Sequence, residues 1–107
     1  MSMPFRNQLE RDLHFAKHGH NFQAADAVEY KRMADAFMFG PMTIAMSECA
    51  RANATDRLRY NIANRNFGVA NVVPAFLKTF YLVPMHTLAR HGGSQNYFAY
   101  ECGRAGI

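Results

Sequence analysis

The chain has no tryptophan, only two cysteines and only four prolines among its 107 residues. No apolar run reaches the roughly 18 residues that cross a membrane, and no signal-peptide pattern opens the sequence. Repeats, linkers and low-complexity tracts are also missing, whereas 50% of the residues are hydrophobic. These features exclude a disordered or membrane-spanning chain and predict one domain over residues 1–107. An origin within a larger secreted protein stays open.

The two cysteines are far apart in the sequence. Cys49 and Cys102 show neither CxxC spacing nor the pattern of a zinc site. We expect two free thiols, with a disulfide between them as the alternative.

Positive charge is concentrated in the second half of the chain. Residues 1–50 carry five cations and six acids, whereas residues 51–107 carry seven cations and two acids. Six of these seven cations are arginine, which suits bidentate contacts with phosphate. Two interpretations stay open: a solubilising surface, and a polyanionic partner such as RNA, DNA or an acidic protein.

The opening of the chain has the spacing of a helix. Pro4 is suited to the first turn, and Phe5, Leu9 and Leu13 recur every fourth residue. This spacing predicts a stripe that is buried against the core. Gly19 is expected to end the helix.

A second helix is predicted from Asp26, which forms a capping box with Glu29. Gly40 and Pro41 are expected to end it. Residues 42–50 fit a further helix only weakly. The apolar residues at helical spacing in the second helix are Tyr30, Met33, Ala34 and Phe37.

The hydrophobic period changes to two after Asn53. RLRYNI at 57–62, NFGVANVV at 66–73 and FLKTFYLV at 76–83 read as three strands joined by turns. Residues 85–95 are expected to form a loop, and the following NYFAYEC segment a short strand or helix. The predicted fold is therefore α+β, with N-terminal helices packed on a small antiparallel sheet.

The segment HFAKHGHNF contains three of the five histidines and one of the three lysines. On a helix, His14 and His18 are one turn apart, and Lys17 lies on the same face. The helix C-terminus is expected to favour protonated imidazoles. Two histidines can supply a general base and a general acid, and a lysine can stabilise a developing phosphorane. These groups suffice in principle to cleave RNA without a metal.

Three other interpretations of this cluster stay open. His14 and His18 have HxxxH spacing that fits zinc, but the glutamate of an HExxH motif and an obvious third ligand are lacking. The cluster also fits a solvated polar helix end. A helix that binds a polyanion without catalysis is the third.

The order of motifs resembles the toxin ribonucleases of the Barnase–EndoU–colicin–RelE group, most closely the C-terminal domains of contact-dependent inhibition and other polymorphic toxins. The Lys-His-x-x-x-Phe element formed by Lys17, His18 and Phe22 is also similar to one in colicin D-like tRNA-cleaving domains. The segments that carry the resemblance are LHFAKHGHNF at 13–22, EYKRMADAF at 29–37, RLRYNIANRNFGVAN at 57–71, KTFYLVP at 78–84 and QNYFAYEC at 95–102.

The resemblance implies a catalytic His18 with Lys17 as its charged neighbour and His14 as the second candidate. Thr79 and Tyr81 are expected to meet this helix face and to bind or orient phosphate, or else Tyr81 belongs to the core and Thr79 only favours the strand. Strand alternation predicts that Leu77 points with Thr79 and Tyr81, while Lys78, Phe80 and Leu82 point away.

Arg57 and Arg59 share the polar face of the first predicted strand and are expected to bind RNA phosphate, or else to form a solvated sheet face. Five other residues are weaker candidates for the site or for base stacking. They are His20, His86, His91, Tyr97 and Tyr100. For the two tyrosines, packing against the sheet is the favoured interpretation.

The function implied is an interbacterial toxin, a metal-independent and cofactor-free endoribonuclease that cleaves RNA, in particular tRNA. The resemblance also implies delivery from a larger secreted toxin into the target-cell cytoplasm, and a cognate immunity protein. An acidic immunity protein is expected to cover the groove between the first helix and the sheet. Whether a host factor takes part stays open. The alternative is a prophage-type module that binds nucleic acid or protein without catalysis.

Overall fold

The structure, a computed structural model, describes residues 5–51 and 55–104. The predicted α+β class is confirmed. Within the described ranges, no helix is long and apolar enough to cross a membrane. The elements in chain order are α1 (Gln8–His18), a 3-10 helix (Gly19–Phe22), α2 (Ala27–Phe39), β1 (Met46–Ala50), β2 (Asp56–Asn61), β3 (Asn66–Asn71), β4 (Phe76–Leu82), α3 (Met85–His91) and α4 (Ser94–Gly103).

The strands form one antiparallel sheet in the order β1-β2-β3-β4. The predicted meander over residues 57–83 is confirmed, but β1 is an additional strand. The weak helix expected over residues 42–50 is therefore wrong: residues 42–45 form irregular structure and a turn, and residues 46–50 pair with β2 from Met46↔Asn61 to Ala50↔Arg57. Ladder hydrogen bonds with an existing strand outweigh a helical pattern that covers only two turns.

Helices cover both faces of the sheet. The buried residues of α2 lie against one face, where Gly68 makes room for the helix: a Cβ there would come within 2.6 Å of the Met38 sulfur. Helices α3 and α4 cover the other face, through Leu88 and Tyr97. The expectation of N-terminal helices alone is thus incomplete, because the predicted loop over residues 85–95 contains α3 and the start of α4.

The first helix differs from its predicted packing. Asn7 caps it by accepting a 2.8 Å hydrogen bond from the Glu10 backbone N–H, and Pro4 lies outside the described residues. Phe5 is buried and bridges to Leu77, but Leu9 and Leu13 are 67% and 55% exposed. The predicted stripe is wrong beyond Phe5, because α1 packs against α2 and β4 through another of its faces.

Helix α2 begins and ends where the sequence predicts. The Asp26 carboxylate accepts a 2.8 Å hydrogen bond from the Glu29 backbone N–H, and the Glu29 carboxylate accepts one from the backbone of Ala25. Gly40 follows the last turn. The Tyr30 hydroxyl donates to the Phe80 carbonyl, which fixes α2 on β4.

A disulfide joins Cys49 to Cys102, with a Cα–Cα distance of 6.2 Å. The expectation of free thiols is therefore wrong, and the alternative holds. The bond links β1 to α4 across 53 residues of sequence. Only the tertiary fold brings the two side chains together, so neither spacing nor composition identifies the pair.

Candidate active site

A cleft of about 680 Å³ lies between α1 and the sheet face that α4 also covers. We call it the histidine cleft, because His14 and His18 line it. Five cationic side chains line the cleft, against two carboxylates, so its charge favours an anionic ligand. The cations are Arg6, Lys17, Arg51, Lys78 and Arg104, and the carboxylates are Glu10 and Glu101.

The alignment of α1 with β4 brings four predicted residues together. The Nδ1 atom of His14 lies 3.4 Å from Oγ1 of Thr79. The ring of His18 lies 5.4 Å from that of Tyr81 and 6.0 Å from that of His14, measured between centroids. The distance between His14 and His18, one turn apart on α1, thus matches the distance between Thr79 and Tyr81 on β4. The four side chains therefore face the same space.

Gly19 leaves room for the Phe15 ring at the end of α1. It is buried, and a Cβ at this position would lie 2.4 Å from the Phe15 ring. The chain continues as a 3-10 helix and places Phe22 against Phe80, with 4.1 Å between ring centroids. This packing fixes the end of α1 over β4. His20, beyond the glycine, is exposed and does not line the histidine cleft.

Both imidazoles of the cleft are neutral at pH 7. Burial, with the neighbouring His14, Lys17 and His20, lowers the pKa of His18 to about 4. Burial also lowers the pKa of His14, with Glu10 opposing the shift and Lys17 adding to it. The expectation that the helix C-terminus favours protonated imidazole is therefore wrong, because desolvation outweighs the helix dipole. A neutral imidazole has a free ring nitrogen, so it can accept a proton without first losing one.

Two phenols lie behind the histidines. The hydroxyls of Tyr81 and Tyr97 are 2.7 Å apart. Burial raises the pKa of both, so each keeps its proton at pH 7. Tyr97 comes from α4, and the nearby Glu101 adds to the rise in its pKa. The favoured sequence interpretation, that Tyr97 packs against the sheet, is confirmed, but its contact with Tyr81 was not predicted, because the sequence does not show that α4 returns to β4.

Charged side chains form a connected floor under the cleft. Arg51 is buried and donates a hydrogen bond of 2.8 Å to Oε1 of Glu101. Its guanidinium also lies 3.4 Å from Oδ2 of Asp56. Asp56 also pairs with Lys78 at 3.0 Å, and Arg104 pairs with Glu101 at 3.2 Å. We call these five residues the ionic floor. Sequence reasoning missed it, since its members come from three separate segments without a shared motif.

Arg57 and Arg59 lie on the opposite sheet face, under α2, and do not line the histidine cleft. Arg59 is 7% exposed and donates to the carbonyls of Phe37 and Gly40 at 3.1 and 2.8 Å. Both arginines pair with Glu48. We call Arg57 and Arg59 the arginine face. The partners of Arg59 are structural, and the predicted RNA-binding role of the pair remains untested.

The other weak candidates lie outside the cleft. His86 is the second residue of α3 and is exposed. The His91 ring packs on Tyr100 with 4.6 Å between centroids, and Tyr100 is 50% exposed. Among the described residues, no group of three or more His, Cys, Asp or Glu side chains could hold a metal ion.

Comparison of the chain with models of known protein families and with curated proteins gives no match. The likeness to toxin ribonucleases stays a prediction from ordered motifs. The chemistry of the histidine cleft therefore carries the functional assignment.

Proposed function

We propose that this protein is a metal-independent endoribonuclease whose active site is the histidine cleft. The observation that carries the proposal is the convergence of two neutral imidazoles, a lysine, a threonine and a protonated phenol on one cationic cleft. Each part of a 2′-hydroxyl attack on phosphate has a candidate group within it. Metal independence rests on this complete set of side chains.

His18 acts as the general base. Its neutral imidazole takes the proton of the ribose 2′-hydroxyl, and the 2′-oxygen attacks the adjacent phosphorus. The phosphorus–O5′ bond then breaks, which leaves a 2′,3′-cyclic phosphate. His18 becomes an imidazolium, and its low pKa of about 4 makes it release the proton readily.

Tyr81 acts as the general acid. At pH 7 neither imidazole is in its acidic, imidazolium form, whereas the raised pKa of Tyr81 keeps its hydroxyl protonated. The phenol gives this proton to the leaving 5′-oxygen, and the Tyr97 hydroxyl 2.7 Å away donates to the phenolate that forms. The proton on His18 then returns to Tyr81, directly or through water, which restores both groups.

Lys17, His14 and Thr79 hold the phosphate. Lys17 is exposed and lines the cleft beside His18, so its charge can stabilise the phosphorane. The Thr79 hydroxyl lies against Nδ1 of His14, and the pair can hydrogen-bond a non-bridging oxygen. The attacking and leaving oxygens lie in line with phosphorus, so base and acid must flank it from two sides.

In its biological setting the protein is the toxin domain of an interbacterial competition system, with tRNA as its substrate. It is delivered from a larger secreted protein into the cytoplasm of a target cell, and a cognate immunity protein neutralises it. The ordered motifs support these points. An acidic immunity protein would match the five cations of the histidine cleft, and its affinity should fall as ionic strength rises.

The test is cleavage of total bacterial RNA by the purified domain in the presence of EDTA, with mapping of new ends. We expect discrete tRNA fragments that end in 2′,3′-cyclic phosphate. His18→Ala should reduce the rate by about 10²–10⁴-fold, the usual contribution of an acid–base group. His20→Ala is the matched control, because His20 lies two residues away and outside the cleft.

Two outcomes would contradict the proposal. RNA binding without cleavage would favour the non-catalytic module. Cleavage by His18→Ala at the parent's rate would remove the histidine cleft from the chemistry. Thermal melting of both variants separates a catalytic loss from unfolding.

A further inference from the structure

A β-bulge turns Lys78 into the histidine cleft. The pairing of β3 with β4 shifts between Val69 and Ala70, so that Val69 faces Thr79 while Ala70 faces Leu77. Lys78 is the extra residue, and it lines the cleft beside Thr79 although strand alternation predicts the opposite side. Leu77 lies in the core with Phe80 instead. Bulges next to active sites commonly re-aim one side chain in this way.

The ionic floor holds Lys78 in place. Its ammonium lies 3.0 Å and 3.2 Å from the two oxygens of Asp56, whose side chain is fully buried. Arg51 pairs with the same carboxylate. An ammonium has three N–H donors, and the Lys78 side chain keeps 24% exposure at the cleft. Lys78 is therefore a positioned cation that can still donate to a ligand.

Arg6 and Phe76 lie at the same end of the cleft. The Arg6 guanidinium lies over the Phe76 ring, 4.9 Å from its centroid, and both residues line the cleft. The bridge between Phe5 and Leu77 fixes the backbone beside them. Arg6 is exposed, so a planar group has access to this stacked pair.

The cleft is longer than one nucleotide. From Phe76 to Tyr81 the strand β4 covers six residues, which are five steps or about 17 Å at the usual rise. A stacked nucleic-acid strand advances about 3.4 Å per nucleotide. A phosphate held between His18 and Tyr81 therefore leaves room for neighbouring nucleotides toward Arg6 and Phe76.

We propose that Lys78, Arg6 and Phe76 form a second subsite that binds a nucleotide next to the cleaved bond in single-stranded RNA. Lys78 and Arg6 bind its phosphate, and its base stacks on the Arg6–Phe76 pair. Aromatic and guanidinium planes are the usual platforms for unpaired bases. This inference rests on the proposed function for the place of the scissile phosphate.

The first experiment compares kcat/KM for a pentanucleotide with kcat/KM for a dinucleotide of the same cleaved step. A second subsite makes the parent prefer the longer substrate. Arg6→Ala and Phe76→Leu should each reduce this preference about tenfold, the effect of one lost stacking contact. Arg32→Ala is the matched control, because it removes one exposed cation that does not line the cleft.

The second experiment does not depend on cleavage. Fluorescence anisotropy measures binding of a 2′-O-methyl pentanucleotide, which lacks the attacking hydroxyl. Arg6→Ala and Phe76→Leu should weaken this binding about tenfold, and Arg32→Ala should not. Arg6→Lys keeps the charge but loses the planar group, so it should weaken stacking even if Arg6→Ala folds poorly.

The outcomes separate the two proposals. If the parent cleaves RNA but neither Arg6→Lys nor Phe76→Leu changes the length preference or the binding, the subsite is refuted and the ribonuclease stands. If the parent cleaves nothing but binds the pentanucleotide through Arg6 and Phe76, the subsite stands and the catalytic function fails. If it neither cleaves nor binds, both fail.

Discussion

The histidine cleft and the arginine face place cations on opposite faces of one sheet, but the partners of those cations differ. Arg59 donates to two backbone carbonyls and pairs with Glu48, and its guanidinium closes the gap between β2 and the end of α2. Lys17 and Arg6 are exposed at the cleft. A cation whose donors are already used stabilises the fold, whereas one with free donors can hold a ligand.

The same contrast applies to the segments that join the two regions. On β1, Glu48 pairs with the arginine face, while the next residue, Cys49, is bonded to α4. Helix α4 in turn carries Glu101 to the cleft and Tyr97 to the Tyr81 hydroxyl behind it. The disulfide therefore links the strand that pairs with the arginine face to the helix that lines the histidine cleft.

The comparison is tested most strongly by removing one cation from each region. Lys17→Ala should reduce RNA cleavage by about 10²-fold, the usual loss of one group that stabilises transition-state charge. Arg57→Ala should leave the rate within about twofold, because Arg57 lies on the opposite sheet face and does not line the histidine cleft. The loss of its exposed ion pair with Glu48 should also leave the fold intact. The measurement is the initial rate on bacterial RNA. A larger loss for Arg57→Ala would instead support the RNA-binding role predicted for the arginines.

Reduction of the disulfide should lower the free energy of unfolding by about 2–4 kcal/mol. The bond closes a long loop between β1 and α4, and its loss frees the unfolded chain. Urea unfolding with and without reductant measures the change. The double variant Cys49→Ala/Cys102→Ala should show the lower stability and no response to reductant. If the parent is equally stable in both conditions, the link between the two regions is not a stabilising one.

Arg59→Ala should lower the free energy of unfolding by about 1–3 kcal/mol, because two carbonyls at the end of α2 lose their donor. Arg57→Ala serves as the control, with a change below about 1 kcal/mol for an exposed pair. Thermal melting is the measurement. Equal stabilities for the two variants would contradict the structural role of Arg59.

The last effect is the pH dependence of stability that arises from His18 in the cleft. The pKa of His18 is about 4 in the folded protein and near 6.5 in the unfolded chain, so protonation favours unfolding. Its contribution to stability is full above pH 6.5 and is lost as pH falls toward 4. Urea unfolding at several pH values should show a steeper loss for the parent than for His18→Gln. Identical pH profiles would indicate that the imidazole is not desolvated by the fold.

The fold was predictable where the signals are local. The period-two segments predicted three of the four strands, and the Asp26–Glu29 capping box predicted the start of α2. Two apolar patterns misled. Leu9 and Leu13 are exposed because only one side of α1 meets the body, and residues 46–50 form a strand because β2 offers them hydrogen-bond partners.

The candidate site was predictable in part. The spacing of His14, Lys17 and His18 on one helix face follows from helical geometry, and the resemblance placed Thr79 and Tyr81 opposite them. Neither source indicated Lys78, whose direction depends on a bulge, or Glu101, whose partner Arg51 is 50 residues away. The direction of Lys78 and the pairing of Glu101 with Arg51 depend on how separate elements pack. Short-range sequence patterns therefore do not predict them.

The sequence by itself determined the α+β class, the cap of α2, and the crowding of imidazoles at the end of one helix, because backbone geometry and side-chain period act over a few residues. The tertiary structure decided which histidines are desolvated, which cations keep free donors, and that Cys49 meets Cys102. Solvation and long-range contact depend on what the rest of the chain places around a residue. For this reason the histidine cleft and the arginine face differ in their chemistry although both contain positively charged side chains.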